Sequence, residues 1–115
     1  MKITERLKVE HGVYLLQLRH LEALMAANAP AEVLKSVVAA VAMAEDQHSK
    51  LEDNVLYPEL AKIVGNEFAP LVQVKEDHHR LAELSAKAAA SGDPNDVKAF
   101  IDLLRAHLER EIHSL

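Results

Sequence analysis

The stretch His48-Ser49-Lys50-Leu51-Glu52-Asp53-Asn54-Val55-Leu56-Tyr57-Pro58 decides how the rest of the chain is read. Residues four apart share one face of an α-helix, so His48 and Glu52 present an imidazole and a carboxylate side by side. The end of the chain repeats the pattern. His107 and Glu111 stand four apart, and Leu115 follows Glu111 as Leu56 follows Glu52. Both pairs lie in stripes that otherwise read as core. Two nitrogen-plus-carboxylate pairs pointing inward from two helices suggest a metal site inside a helical bundle.

Composition supports the bundle. A chain of 115 residues is expected to form one domain, residues 1–115, with one modest core. Half the residues are hydrophobic but only 3% are aromatic, and there are three Gly and four Pro, a mixture that favours closely packed helices over a sheet. The net charge of -5 argues against nucleic acid or an anionic membrane as partner. The absence of cysteine excludes disulfides, thiolate zinc sites and cysteine-ligated iron–sulfur clusters. The longest apolar run, Val37 to Ala44, falls far short of the roughly 20 residues that span a bilayer. With a charged rather than signal-like start, the expected compartment is the cytoplasm.

Periodicity divides the chain into four helices. The first is expected over 4–27, with Leu7, His11, Tyr14, Leu18, Leu21 and Met25 as its seam. Asn28-Ala29-Pro30 ends it. The second is expected over 30–64, its seam being Leu34, Val37, Val41, Ala44, His48, Leu51 and Val55, with Glu45, Glu52 and Leu56 on the flank and a kink at Pro58. Gly65-Asn66 caps it. The third, 69–90, carries Leu71, Val74, His78, Leu81, Ser85 and Ala88. Asp93 as N-cap and Pro94 at the first helical position start the fourth, whose inward face is Val97, Phe100, Ile101, Leu104, His107, Leu108, Glu111 and Leu115. Short connections make an up-down-up-down antiparallel four-helix bundle the expected all-α architecture.

The spacing of His and Glu alone carries little, because twelve glutamates make chance pairs common. His79 and Glu83 also stand four apart, but on the polar face with Glu76, Arg80 and Lys87, where a solvated contact is expected. His20 reads as a boundary residue, and His113 as a cation suited to a helix C-terminus.

His11, His48, His78 and His107 differ because each lies in the seam of its own helix. Their heights can be compared. His11 lies 17 residues before Asn28 and His48 lies 18 after Pro30, so both sit roughly 26 Å from that turn. His78 lies 13 before Ser91 and His107 lies 13 after Pro94. Glu52 lies 12 before Val64 and His78 lies 10 after Phe68, a difference of roughly 3 Å. All four histidines and both glutamates fall within about one helical turn of a plane, which core packing does not require.

Burying two carboxylates and four imidazoles together is costly without compensation. A pair of divalent cations supplies it, and imidazole with carboxylate suits iron, manganese or zinc. The competing reading is a metal-free core in which Glu52 and Glu111 pair with imidazolium histidines. Since ligation needs neutral imidazoles, metal should be lost as the pH falls through the ordinary histidine range near about 6.

At this point the chain resembles the hemerythrin-like HHE cation-binding family. The resemblance rests on His11 in Glu-His-Gly-Val-Tyr-Leu-Leu, on His48, Glu52, Asp53, Leu56, Tyr57 and Pro58, on His78 in Glu-Asp-His-His-Arg-Leu, and on His107 with Glu111. It implies a four-helix bundle holding two non-haem iron ions, bridged by the two carboxylates and an oxo or hydroxo group. The implied ligands are His11, His48, Glu52, His78, His107 and Glu111.

There are departures from the family pattern. Oxygen-carrying relatives have a fifth histidine one turn from the first on the third helix; Val74 and Ala82 hold those positions here and cannot coordinate. The implied sixth position then stays open on each iron, which favours turnover over clean oxygen carriage. Tyr14, one turn after His11, is either a hydrogen-bond donor or oxidisable group near the metal, or a core tyrosine satisfied locally. Glu45, one turn before His48, is an extra ligand, an imidazole-orienting partner or, as the favoured reading, a surface glutamate.

The leading expectation is a di-iron protein that binds or reacts with dioxygen or a related small molecule, nitric oxide or peroxide, for sensing, storage or detoxification. If it is an enzyme, it is a di-iron oxidoreductase. The alternative is an iron-handling or iron-responsive module whose metal occupancy sets stability and partner binding without turnover. A metal-free interaction bundle is the third.

Overall fold

The computed structural model describes residues 3–114, with side chains from 8 to 110. The described residues are helical with no strand. The helices are α1 (Ile3–Ala26), α2 (Ala31–Leu51), α3 (Tyr57–Val64), α4 (Ala69–Ser91) and α5 (Pro94–Ser114). A π-helical segment, Glu52–Leu56, joins α2 to α3 without a break, so the chain makes four helical runs, as the periodicity predicts. No helix among the described residues is long and apolar enough to cross a membrane.

The turns follow from local chemistry. Asn28 takes the left-handed conformation with φ 57°. Its N–H donates to the Met25 carbonyl, and the Ala29 N–H donates to that of Leu24, two bonds that close the C-terminus of α1 in the manner usual for glycine. Gly65 ends α3 with φ 88°. Between α4 and α5, Gly92 has φ 62°, and a Cβ there would come 2.6 Å from the Ala31 carbonyl oxygen. The α4–α5 turn therefore rests directly on the start of α2. Asp93 caps α5 as expected, its Oδ1 accepting from the Asn95 N–H at 2.8 Å.

The second helical run departs from the expected register. Its buried positions are Leu34, Val38, Val41, Glu45, His48 and Glu52, then Tyr57. Steps of four and three hold as far as Glu52; a step of five follows, as a π turn requires. Val55, expected in the seam, is 46% exposed. The expected kink at Pro58 takes the form of this wide turn. Proline lacks an N–H and crowds the carbonyl four residues back. A π turn relieves both, and the Tyr57 N–H donates to the Glu52 carbonyl instead.

Two apolar clusters result. The larger includes Leu18, Leu21, Leu34, Val38, Phe100, Ile101, Leu104 and Leu108. The smaller is Tyr57, Leu71 and Val74, with Leu56, Leu60 and Ala61 packed against it. On the second helical run the residues between them are Glu45, His48 and Glu52, and on α4 they are Asp77 and His78. A polar layer thus separates two apolar clusters, and the energetics of the fold turn on how that layer is satisfied.

Candidate metal centre

Each helical run sends its seam histidine into this layer. His11, His48 and His107 are buried, and the His78 side chain is 7% exposed. His11 Nε2 lies 3.1 Å from His48 Nε2. His48 Nε2 lies 3.2 Å from Glu52 Oε1. The same oxygen is 3.3 Å from His78 Nε2, and the His78 and His107 rings are 4.8 Å apart. Five of the six residues expected from the sequence therefore form one continuous set of contacts. Glu111 belongs to α5, one turn beyond His107, and its side chain lies outside the described residues, as do those of Leu7, His113 and Leu115. His79 and Glu83 are exposed, as expected for a solvated pair, and His20, expected at the boundary, is exposed as well.

Within this set two groups could each hold a cation: His11, His48 and Glu52, and separately Glu45, His78 and His107, the ligand atoms of each group lying within 4.8 Å of one another. Glu45 is a correction to the sequence reading. It is no surface residue but 4% exposed, with one oxygen accepting from Ser49 Oγ at 2.8 Å. Hydropathy rules put carboxylates on the flank of a stripe, whereas here the stripe itself is built from them.

Three further carboxylates grip the outer nitrogens of the imidazoles. Glu10 Oε2 lies 2.6 Å from His48 Nδ1, Asp53 Oδ1 lies 3.1 Å from His78 Nδ1, and Asp77 Oδ2 lies 3.0 Å from His107 Nδ1. In the neutral imidazole, a proton held on Nδ1 by a carboxylate puts the lone pair on Nε2, the atom that faces the layer. The donor set therefore fits a metal on tautomer as well as on residue type. Asp77 is itself held by Arg110 Nε and Nη2 at 2.9 and 2.7 Å and by Gln73 at 3.1 Å. Burial raises its pKa, but Arg110, His107 and Gln73 outweigh this and hold the carboxyl below its usual range.

The carboxylates dominate the electrostatics of the imidazoles too. Burial opposes a charge on His48, yet Glu52 and then Glu10 prevail and raise its pKa to about 9. Burial likewise opposes a charge on His78, and so does His107, but Glu52 and Asp53 leave its pKa raised. The carboxylates thus draw positive charge onto both imidazoles.

The sequence reading passed over Glu10 and Asp77 and gave Asp53 no role of its own. A signal was present, since each is the chain neighbour of a candidate ligand: Glu10-His11, Glu52-Asp53 and Asp77-His78. Asp77 also stands three after Val74 and four before Leu81, on the buried stripe. Tyr57 enters the sequence motif without a role of its own. Its ring is fully buried, its hydroxyl donates to Glu52 Oε2 at 3.0 Å, and it stacks on His78 with centroids 5.9 Å apart. Tyr14 donates to the Ala44 carbonyl at 2.9 Å, and its ring meets that of His48 edge-on with centroids 5.4 Å apart.

The hemerythrin HHE cation-binding domain family matches residues 2–115, essentially the whole chain, and the chain belongs to that family. No curated protein matches it. No solved structure matches it either.

Proposed function

We propose that residues 1–115 form one domain of four helices running up-down-up-down, which holds two non-haem iron ions through His11, His48, Glu52, His78, His107 and Glu111. The observation that carries this reading is the position of Glu52. One of its oxygens is 3.2 Å from an imidazole on α2 and 3.3 Å from another on α4, and each of those rings faces a further imidazole. A carboxylate between two histidine pairs is placed to bridge two cations. Glu111 supplies the second carboxylate in this reading. The seat of Gly92 on Ala31 supports the topology, since it puts the α1–α2 and α4–α5 turns at one end.

The donor set suits iron, with manganese or zinc as alternatives. When bound, an iron pair supplies redox and Lewis-acid chemistry towards dioxygen, nitric oxide or peroxide. The chain itself does three things. Glu10, Asp53 and Asp77 hold three imidazoles in orientation. The apolar clusters flank the layer on either side. A cleft of about 860 Å³ reaches Glu45 and His78 between α2 and α4, and admits a small molecule. The domain acts in the cytoplasm, with no nucleic-acid or membrane partner, in keeping with its acidic charge.

Anaerobic iron loading followed by air tests the reading. About two irons per chain and new near-ultraviolet and visible absorption are expected. Less than one iron per chain and no such absorption would defeat it.

A second reading rests on the polar layer lying between the two apolar clusters. Metal occupancy would then govern packing, and the domain would serve as an iron-handling or iron-responsive module read by a partner. It predicts iron-dependent stability with no consumption of dioxygen or peroxide.

A further inference from the structure

Glu45 belongs to no His-x-x-x-Glu pair, yet it stands on the same buried stripe as His48 and Glu52, one turn towards the larger apolar cluster. A carboxylate only 4% exposed is costly unless a cation compensates it. One of its oxygens lies within 4.8 Å of a nitrogen of His78 and of His107. Ser49 bonds one oxygen and orients the carboxylate, whose charge also acts on His48. On α4 the positions one turn either side of His78 are Val74 and Ala82, neither of which can ligate. Small side chains at Ala42 and Ala82 instead open the α2–α4 cleft onto Glu45.

Resting on the two-cation reading, we infer that Glu45 is a direct ligand of the cation beside His78 and His107. It supplies from α2 the donor that α4 lacks. The two positions are then unequal. The one beside His11 and His48 has two imidazoles and shares Glu52, while the one beside His78 and His107 has its own carboxylate in addition. The second position lies on the α2–α4 cleft, which Glu45 and His78 line.

Anaerobic titration with Co(II), whose visible absorption reports each position as it fills, tests this on wild type, Glu45→Gln and Glu45→Ala. Wild type should take two equivalents. Glu45→Ala should keep one at wild-type affinity and bind the other more than about 100-fold more weakly, beyond the loss expected when an orienting residue alone is removed. Glu45→Gln, which keeps the shape and one amide oxygen without the charge, should lie between. Wild-type affinity at both positions in both variants would overturn the inference. So would an equal loss at both positions, the mark of a merely structural role. Failure of the wild type itself to take two equivalents defeats the two-cation reading, and the inference with it, independently of the variants.

Discussion

Glu10 and His48 are joined by a 2.6 Å hydrogen bond from imidazole Nδ1 to carboxylate Oε2, so the residue beside one candidate ligand on α1 orients the candidate ligand of α2. The same relation recurs around the layer. Asp53, next to Glu52, holds His78 on α4, and Asp77, next to His78, holds His107 on α5. Three of the four helical runs thus carry both a candidate ligand and a brace for the candidate ligand of the next. Rotating any one helix disturbs two ligands, which makes the centre and the packing of the bundle a single problem.

Glu10→Gln should therefore weaken the centre without touching a ligand. The amide can still accept from Nδ1–H, but it carries no charge to strengthen the basicity of the ring. Metal affinity should fall roughly 10-fold or more, with helix content unchanged. Competition against a chromophoric chelator measures this, and an affinity equal to wild type would remove Glu10 from any orienting role.

The pH dependence follows from His48. In the metal-free protein its pKa stands at about 9, above the ordinary 6.5. A raised folded-state value means that its proton stabilises the metal-free fold fully below pH 6.5, and that this is lost as the pH rises through 9. A cation needs the neutral ring and must displace that proton. Competition should begin well above the ordinary histidine range, with affinity rising about tenfold per pH unit towards 9 from this group alone. The gap in Tm between metal-loaded and metal-free protein should widen over the same window. Calorimetry at pH 7.5 in buffers of differing ionisation enthalpy should find close to one proton released from His48; none released would contradict the geometry.

The number of helices and the level of the histidines were legible in the sequence because both depend only on periodicity and rise per residue. The register of the second helical run was not. Ranking by hydropathy moved Val37, Ala44 and Val55 inward and left Glu45 and Glu52 on the flank, whereas the structure buries both carboxylates beside imidazoles that other helices supply. The braces Glu10, Asp53 and Asp77 were hidden for a related reason. Each acts across a helix–helix contact, and a one-dimensional pattern shows which residues share a face but not which residue of the next helix they meet. The π turn was marked only by Pro58, which signals a break in the ladder without saying what form it takes.

Removing the metal should cost stability, since the layer holds Glu45 and Glu52 among four imidazoles. A cation at a hundredfold excess over its Kd contributes about 2.7 kcal/mol. At roughly 4 °C per kcal/mol, chelation should lower Tm by about 10 °C. Scanning calorimetry before and after exhaustive dialysis against chelator checks this. An unchanged Tm would favour a core already satisfied by its own ion pairs.

His79→Ala provides the contrast. His79 is exposed and neighbours His78 in sequence, and it shares the four-residue spacing to Glu83 that His48 shares with Glu52. Metal stoichiometry and Tm should both match wild type within the ±0.5 kcal/mol typical of surface substitutions. A lost metal would mean that the sequence neighbour, and not the residue facing Glu52, is the ligand.

Gly92→Ala separates the packing of the bundle from its centre. The φ of +62° disfavours any Cβ, and the added atom would also meet the Ala31 carbonyl oxygen at 2.6 Å and its Cβ at 2.9 Å. Backbone cannot yield as a flexible side chain does, so the α4–α5 turn must lift from the start of α2. The left-handed conformation alone costs roughly 1–2 kcal/mol for a residue with a Cβ, and the contact adds to it. Denaturant unfolding should therefore show a loss of at least about 1 kcal/mol. Gly92 packs beside the larger apolar cluster at the far end of α4 from Leu71 and Val74, so the folded variant should still bind metal with wild-type stoichiometry. A stability equal to wild type would show that the turn is free to move and that α2 is not seated on it.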